Sequence, residues 1–303
     1  MDKALLISRI RDLSSPMDPV PTEQQARLQS LSGIHSVAFD FYGTMFLSGV
    51  GDIGIDEEQN TESVELFGQA LQDTGFTLRD EEAPLTGLKT FDRAIREYTE
   101  LQQSRGIDYP EPDIVLIWHE VLEHLIENDL VEGALDRATA QRFAVEYEFR
   151  FNAVWPVPGL MSTLESLREK RYILGIISNS QFYTPLAFQA LTNRELTSVG
   201  FDKDLRVWSY QASVKKPSTH FYERFVEALK NKHNLQPEQV LYVGNDMLKD
   251  IMPASGLGMK TALFAGDARS LKLRPEDPRC ADVKPDLLIT NLGQITECLG
   301  MAV

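Results

Sequence analysis

Cysteine is nearly missing: Cys280 and Cys298 are the two in 303 residues. Neither has a metal-ligand or redox spacing, and no disulfide framework can be built from them. That is the pattern of a reducing compartment, so the cytoplasm is the expected location. No run of 18 or more apolar residues occurs, so no membrane-spanning segment is expected. The N-terminal MDKALLISRIRDLSSP has a short apolar stretch broken by Arg9 and Arg11, which does not read as a secretory signal. Basic residues are in deficit, 30 Lys and Arg against 45 Asp and Glu, for a net charge of -15. A nucleic acid or an anionic membrane surface is therefore not an expected partner, because phosphates reward clustered Lys and Arg. No G-x-S-x-G is present, which leaves a serine hydrolase without its nucleophile turn. His119 and His124 lie five apart on an expected helix, about 140° around it, so they share no face for zinc.

Hydrophobic periodicity divides what is there. Residues 1–33 read as polar helix broken into two pieces by Pro16, Pro19 and Pro21. Val37 to Phe41 reads as a buried strand that delivers Asp40 at its carboxyl end. Between residues 47 and 156, after glycines 49, 51 and 54, four segments show helical spacing: 61–74, 91–104, 113–130 and 136–154. Gly49 to Gly54 matches G-x-G-x-x-G but does not sit directly between a strand and a helix. It reads as a hinge, and Asp56, Glu57 and Glu58 as a solvated turn. From Pro156 onward helices alternate with apolar strands at 172–178, 240–244, 261–266 and 286–290, with a charged surface loop at 267–285. Alternation of this kind predicts a doubly wound parallel α/β sheet, here interrupted after its first strand by an all-helical insert. The expected division is a core of 1–46 and 157–303, including the N-terminal extension, and a helical domain of 47–156.

In such sheets ligands meet the carboxyl ends of the strands. Those ends carry Asp40, Tyr42 and Thr44; Ser178 and Asn179; and Asp246 with Asp250. Lys216 opens the helix at 219. The set suits phosphoryl transfer. Asp40 can attack phosphorus to form an acyl phosphate. Ser178, Asn179 and Lys216 can hold the phosphoryl oxygens. Asp246 and Asp250 offer hard oxygen ligands for Mg²⁺. Three carboxylates against Lys216 leave a charge that one divalent cation would cancel. Of the residues in the insert, Arg150 is the candidate substrate anchor.

The order Asp40-Phe41-Tyr42-Gly43-Thr44, Ser178-Asn179, Lys216-Pro217 and Gly244-Asn245-Asp246…Asp250 resembles the four motifs of the haloacid dehalogenase-like hydrolases. The resemblance covers roughly residues 34–297, and the insert resembles a C1-type cap. It implies Asp40 as nucleophile, Ser178 and Lys216 as phosphate holders, and Asp40, Asp246, Asp250 and the main-chain carbonyl of Tyr42 around Mg²⁺. A small phosphorylated metabolite is the implied substrate. Two positions depart from the pattern. Family phosphatases usually carry a carboxylic acid where Tyr42 stands, and a phenol is a poor base at neutral pH. Turnover of poor leaving groups is accordingly expected to be slow. Asn245 stands where the metal-binding Asp usually follows the glycine. Two alternatives stay open: a metal-free 2-haloacid dehalogenase, whose D-x-Y-G-T run is similar, and a degenerate member that binds without turnover. The dehalogenase reading lacks its halide-binding arginine, since no Arg occurs between Phe46 and Leu78.

Overall fold

Four successive residues, Ser36 to Phe39, have no exposed surface, and they form β1 at the centre of the fold. The computed structural model describes residues 2–50 and 61–299, so the expected hinge glycines Gly51 and Gly54 and the acidic turn at 56–58 lie outside the described residues. Along the chain α1 (Lys3–Leu13) precedes β1, and β2 (Phe46–Ser48) follows it. Next come α2 (Thr61–Asp73), β3 (Thr77–Leu78), α3 (Ala83–Ser104), α4 (Ile114–Glu127), β4 (Val131–Glu132), α5 (Arg137–Phe151) and β5 (Val154–Pro156). The remainder alternates: α6 (Leu160–Glu169), β6 (Ile173–Ser178), α7 (Thr184–Thr192), β7 (Phe201–Trp208), α8 (Ser209–Ala212), α9 (Thr219–His233) and β8 (Val240–Gly244). It closes with α10 (Met252–Gly256), β9 (Lys260–Phe264), β10 (Leu287–Ile289) and α11 (Gln294–Cys298).

The main sheet has the order β10-β9-β8-β1-β6-β7, with every neighbouring pair parallel. Connections run outward from β1 through β6 to β7, then cross back to β8 and run outward the other way. The order reverses between β1 and β8, so the ligand crevice of a doubly wound sheet opens beside the end of β1. β1, β8 and nearly all of β6 are buried, which explains their unbroken apolar reading. β7 escaped that reading. It alternates Phe201, Leu205 and Val207 with Asp202, Lys203, Asp204 and Arg206, as an edge strand half in water does.

The four helices α2 to α5 sit between β2 and β5, an antiparallel pair that forms the two-stranded stem of the insert. Phe67, Trp118, Val121, Leu122, Leu125 and Phe143 form the centre of its core. The same apolar cluster takes in Leu6 and Ile10 of α1, Leu186 and Ala187 of the sheet-flanking α7, and Tyr183 just before it. The N-terminal region corrects the two-helix expectation. Residues 3–13 are helical, capped by Asp2, whereas 14–33 are not. Pro16, Pro19 and Pro21 remove three amide donors, and the stretch crosses the β10 edge in extended form. There Arg27 exchanges main-chain bonds with Leu288, and the Leu31 amide donates to the Cys298 carbonyl.

Candidate active site

Asp40 follows β1 directly, and its amide donates to the Val243 carbonyl of β8 at 2.9 Å. That bond seats the residue at the reversal of strand order. The residue is 7% exposed. Its Oδ1 lies 2.7 Å from Lys216 Nζ, which also lies 2.6 Å from Asp250 Oδ1. Lys216 is buried, and burial alone would lower its pKa; the two carboxylates outweigh that and raise it, so the ammonium is held charged. Its main chain, at a cis bond to Pro217, is fixed by the Asn179 side chain, which accepts the Lys216 amide at 2.8 Å.

Asp250 spends both oxygens inside the protein. Oδ1 faces Lys216 and the Tyr242 hydroxyl at 3.0 Å, while Oδ2 accepts the amides of Asn245 and Asp246 at 3.0 Å each. Burial, opposed by Lys216 and aided by Asp40 and Asp246, pushes its pKa up to about 6. Gly244 permits this approach: a Cβ there would lie 2.4 Å from the Asp250 Cβ. Asp246 caps the following single turn, its Oδ1 accepting the amides of Leu248 and Lys249. Its Oδ2 lies 2.7 Å from Arg274 Nη2. Sequence reasoning missed Arg274. It comes from the loop expected to be a charged surface segment, in the left-handed region at φ 50°, and that loop carries no motif.

The structure brings Asp40, Lys216, Asp246 and Asp250 together, and the remaining candidates divide. Ser178 has no exposed surface, and its hydroxyl faces the Asn179 carbonyl at 3.3 Å. Ser180, rather than Ser178, reaches the cavity wall beside Asn179. Thr44 donates to Asn245 Oδ1 at 3.0 Å, and Asn245 Nδ2 donates to the Ser270 carbonyl at 2.6 Å, so both side chains brace the two loops. Tyr42 shares a hydrogen bond with Thr184 Oγ1 at 3.1 Å. Burial first, then Glu148 and Asp40, holds its pKa far above that of an ordinary phenol. Arg150 does not line the cavity. Its guanidinium pairs with Asp73 and Glu146 in a network with Arg9 on the outer side of α5.

Two of the expected Mg²⁺ ligands, Asp246 and Asp250, are engaged elsewhere in this arrangement. Asp250 has no oxygen to spare, Asp246 is taken by main-chain amides and Arg274, and Asn245 is taken by Thr44 and Ser270. Among the described residues no group of three or more His, Cys, Asp or Glu is arranged to hold a metal ion. Here Lys216 and Arg274 answer the three carboxylates.

Above these residues lies a cavity of about 310 Å³. Asp40, Tyr42, Lys216 and Asp246 line one side; Leu88, Phe91, Ile95, Trp118, Tyr147 and Phe151 of the insert line the other. Phe91 and Trp118 stack at 4.2 Å between ring centres, which stiffens that wall. Lys249 and Lys272 also border the cavity, supplying positive charge near Asp246. An anionic group at the Lys216 end with an apolar remainder against the insert matches this lining. Among the described residues no helix is long and apolar enough to cross a membrane.

Residues 86–264 match the family model described as haloacid dehalogenase-like hydrolase. Over 211 residues the chain is 26% identical to a glyceraldehyde 3-phosphate phosphatase of Pyrococcus furiosus, covering 69% of this chain and 77% of that protein. A glyceraldehyde 3-phosphate phosphatase of Methanothermobacter thermautotrophicus is 28% identical over 153 residues, 50% of this chain and 62% of the relative. Among solved structures, a 2-haloacid dehalogenase from Pseudomonas syringae pv. Tomato superposes with a TM-score of 0.53 at 20% identity, over 89% of this chain and 100% of that one.

Proposed function

We propose that this chain, which belongs to the haloacid dehalogenase-like hydrolases, is a phosphatase that passes a phosphoryl group from a small phosphorylated metabolite to Asp40 and then to water. The observation that carries the reading is the placement of the Asp40 carboxylate. It sits at the reversal of strand order, paired with a buried ammonium, and faces a cavity roofed by the helical insert. The curated relatives named as phosphatases support a phosphate ester rather than another electrophile.

In the first half-reaction an Asp40 oxygen attacks phosphorus, the aspartyl phosphate forms and the leaving group departs with the ester oxygen. In the second, water attacks the same phosphorus, releasing inorganic phosphate and free Asp40. Lys216 turns from its pairing with Asp40 to the phosphoryl oxygens as charge builds on them, and it stays anchored by Asp250. Ser180, Asn179 and Lys272 stand where they can position those oxygens. Residues 47–156 act as a cap, the aromatic side excluding water and selecting the leaving group. Coordination of Mg²⁺ at this set would require Asp246 to exchange Arg274 for the ion. Magnesium would supply a Lewis acid for the phosphoryl oxygens, a task that falls to Lys216 in the present arrangement.

A second reading, a metal-free 2-haloacid dehalogenase, draws on the same Asp246–Arg274 pair and on Tyr42. One assay separates the two. Wild-type protein and Asp40→Asn are offered a panel of small phosphate esters and, separately, 2-chloropropionate. The phosphatase reading expects phosphate release that Asp40→Asn lowers by about a thousandfold or more. Chloride release without phosphate release would replace it with the second reading.

A further inference from the structure

We propose that Glu148, on the cap side of the cavity, is the proton donor and acceptor for the chemistry at Asp40. The proposal rests on the phosphatase reading and fills the gap left by Tyr42. That phenol is engaged with Thr184 and held neutral by burial, so it neither gives nor takes a proton at neutral pH.

Glu148 lines the same cavity as Asp40, Tyr42 and Lys216. It is delivered by the last turn of α5, and two neutral donors aim it. Tyr183 donates its hydroxyl to Oε2 at 3.0 Å, and Asn152 donates its amide to Oε1 at 3.2 Å. Its environment differs from those of Asp40, Asp246, Asp250 and Glu111, which line the same cavity. Asp40 and Asp250 face Lys216, Asp246 faces Arg274, and Glu111 lies 3.6 Å from Lys215. Among the described residues no Lys, Arg or His forms an ion pair with Glu148. The groups facing it are the phenols of Tyr183 and Tyr42, both held neutral. A carboxyl group in such a place favours its protonated form, and burial accordingly raises its pKa despite the two donors. Each Glu148 oxygen accepts one hydrogen bond in these contacts, which leaves room for a proton directed at the cavity.

The proton balance closes over one turnover. As the Asp40–phosphorus bond forms and the ester bond breaks, the Glu148 proton passes to the departing oxygen. The resulting carboxylate then takes a proton from the water that attacks phosphorus. The Asp40–phosphorus bond breaks, and phosphate leaves with Glu148 protonated again. The expected slowness toward poor leaving groups, drawn from Tyr42 alone, gives way to turnover assisted from the cap.

A leaving-group series tests this, with phenyl phosphate and 2,4-dinitrophenyl phosphate as probes, because dinitrophenolate departs without a proton. Glu148→Gln should lower kcat/KM on phenyl phosphate by about a hundredfold and on the dinitrophenyl ester by no more than about threefold. Equal losses on both esters, or no loss on either, would overturn the assignment, since a bracing role cannot discriminate between leaving groups. If the Gln variant does not fold, Glu148→Asp carries the test: an intermediate dependence is expected, and the wild-type dependence would contradict it. Asp40→Asn should silence both esters. Its failure to do so would count against the nucleophile and not against Glu148.

Discussion

Lys216 joins two carboxylates that would otherwise repel each other below the protein surface. Replacing it with methionine leaves Asp40 and Asp250 buried without a counter-charge. We expect a loss of about 3–5 kcal/mol of stability, measured by urea denaturation, together with loss of turnover. A shift of less than about 1 kcal/mol would mean that the pair is more hydrated than its burial implies. Gly244→Ala should also be costly, because the added methyl meets the Asp250 side chain at 2.4 Å. About 1–3 kcal/mol and a lowered melting temperature are expected from the displacement. At this scale the sequence was readable where position along a strand decides the outcome: Asp40, Asp246 and Asp250 follow strand ends, and Lys216 follows a loop that must return to the sheet. It was not readable where side-chain direction decides. Thr44 and Ser178 stand at the expected places, but local acceptors turn their hydroxyls inward. Arg274 reaches Asp246 from 28 residues away in a loop with no pattern, and Glu148 looks like any other acid on a helix until α5 is docked.

Among the elements, α1 has a place that its polar composition hid. Leu6 and Ile10 are buried in the apolar cluster shared by α5 and α7. Arg9 reaches Asp73 and Glu146 of the insert, whereas Arg11 reaches the Ala190 carbonyl and Asn193 beside α7. One short helix thus fastens the insert to the sheet-flanking α7. Ile10→Ala is expected to cost about 2–4 kcal/mol, and hydrogen exchange should quicken in α5 more than in β8. Equal protection in both would show that the insert is held by its own stem. The helices of the insert were legible because their apolar residues recur at helical spacing over several turns. α7 and β7 were not, being short or alternating with charge, and neither is distinguished from a loop by period alone.

For the whole molecule, the strand order sets Asp40 beside the reversal point, and the insert forms the opposite side of the cavity. A doubly wound sheet could be read from alternation, but its strand order, and with it the reversal point, could not. The cavity could not, since it is made by two sides whose residues lie far apart in the chain. The net charge of -15 extends to the cavity, where Asp40, Asp92, Glu111, Glu148, Asp246 and Asp250 stand beside Lys215, Lys216, Lys249 and Lys272. Long-range attraction therefore does not draw anionic substrates in, and binding of a phosphate ester rests on short-range contact with Lys216. Raising ionic strength from low to about 0.15 M is expected to leave its KM unchanged or to lower it, with little change in kcat.

Single-turnover labelling tests for a covalent bond between Asp40 and phosphorus. Enzyme in excess is mixed with a ³²P-labelled ester that it hydrolyses, quenched in acid within one turnover and digested. The label should travel with the peptide that contains Asp40, be released by hydroxylamine as an acyl phosphate is, and be missing from Asp40→Asn. Labelled phosphate appearing in solution while no peptide ever carries the label, or a label on another residue, would contradict the account.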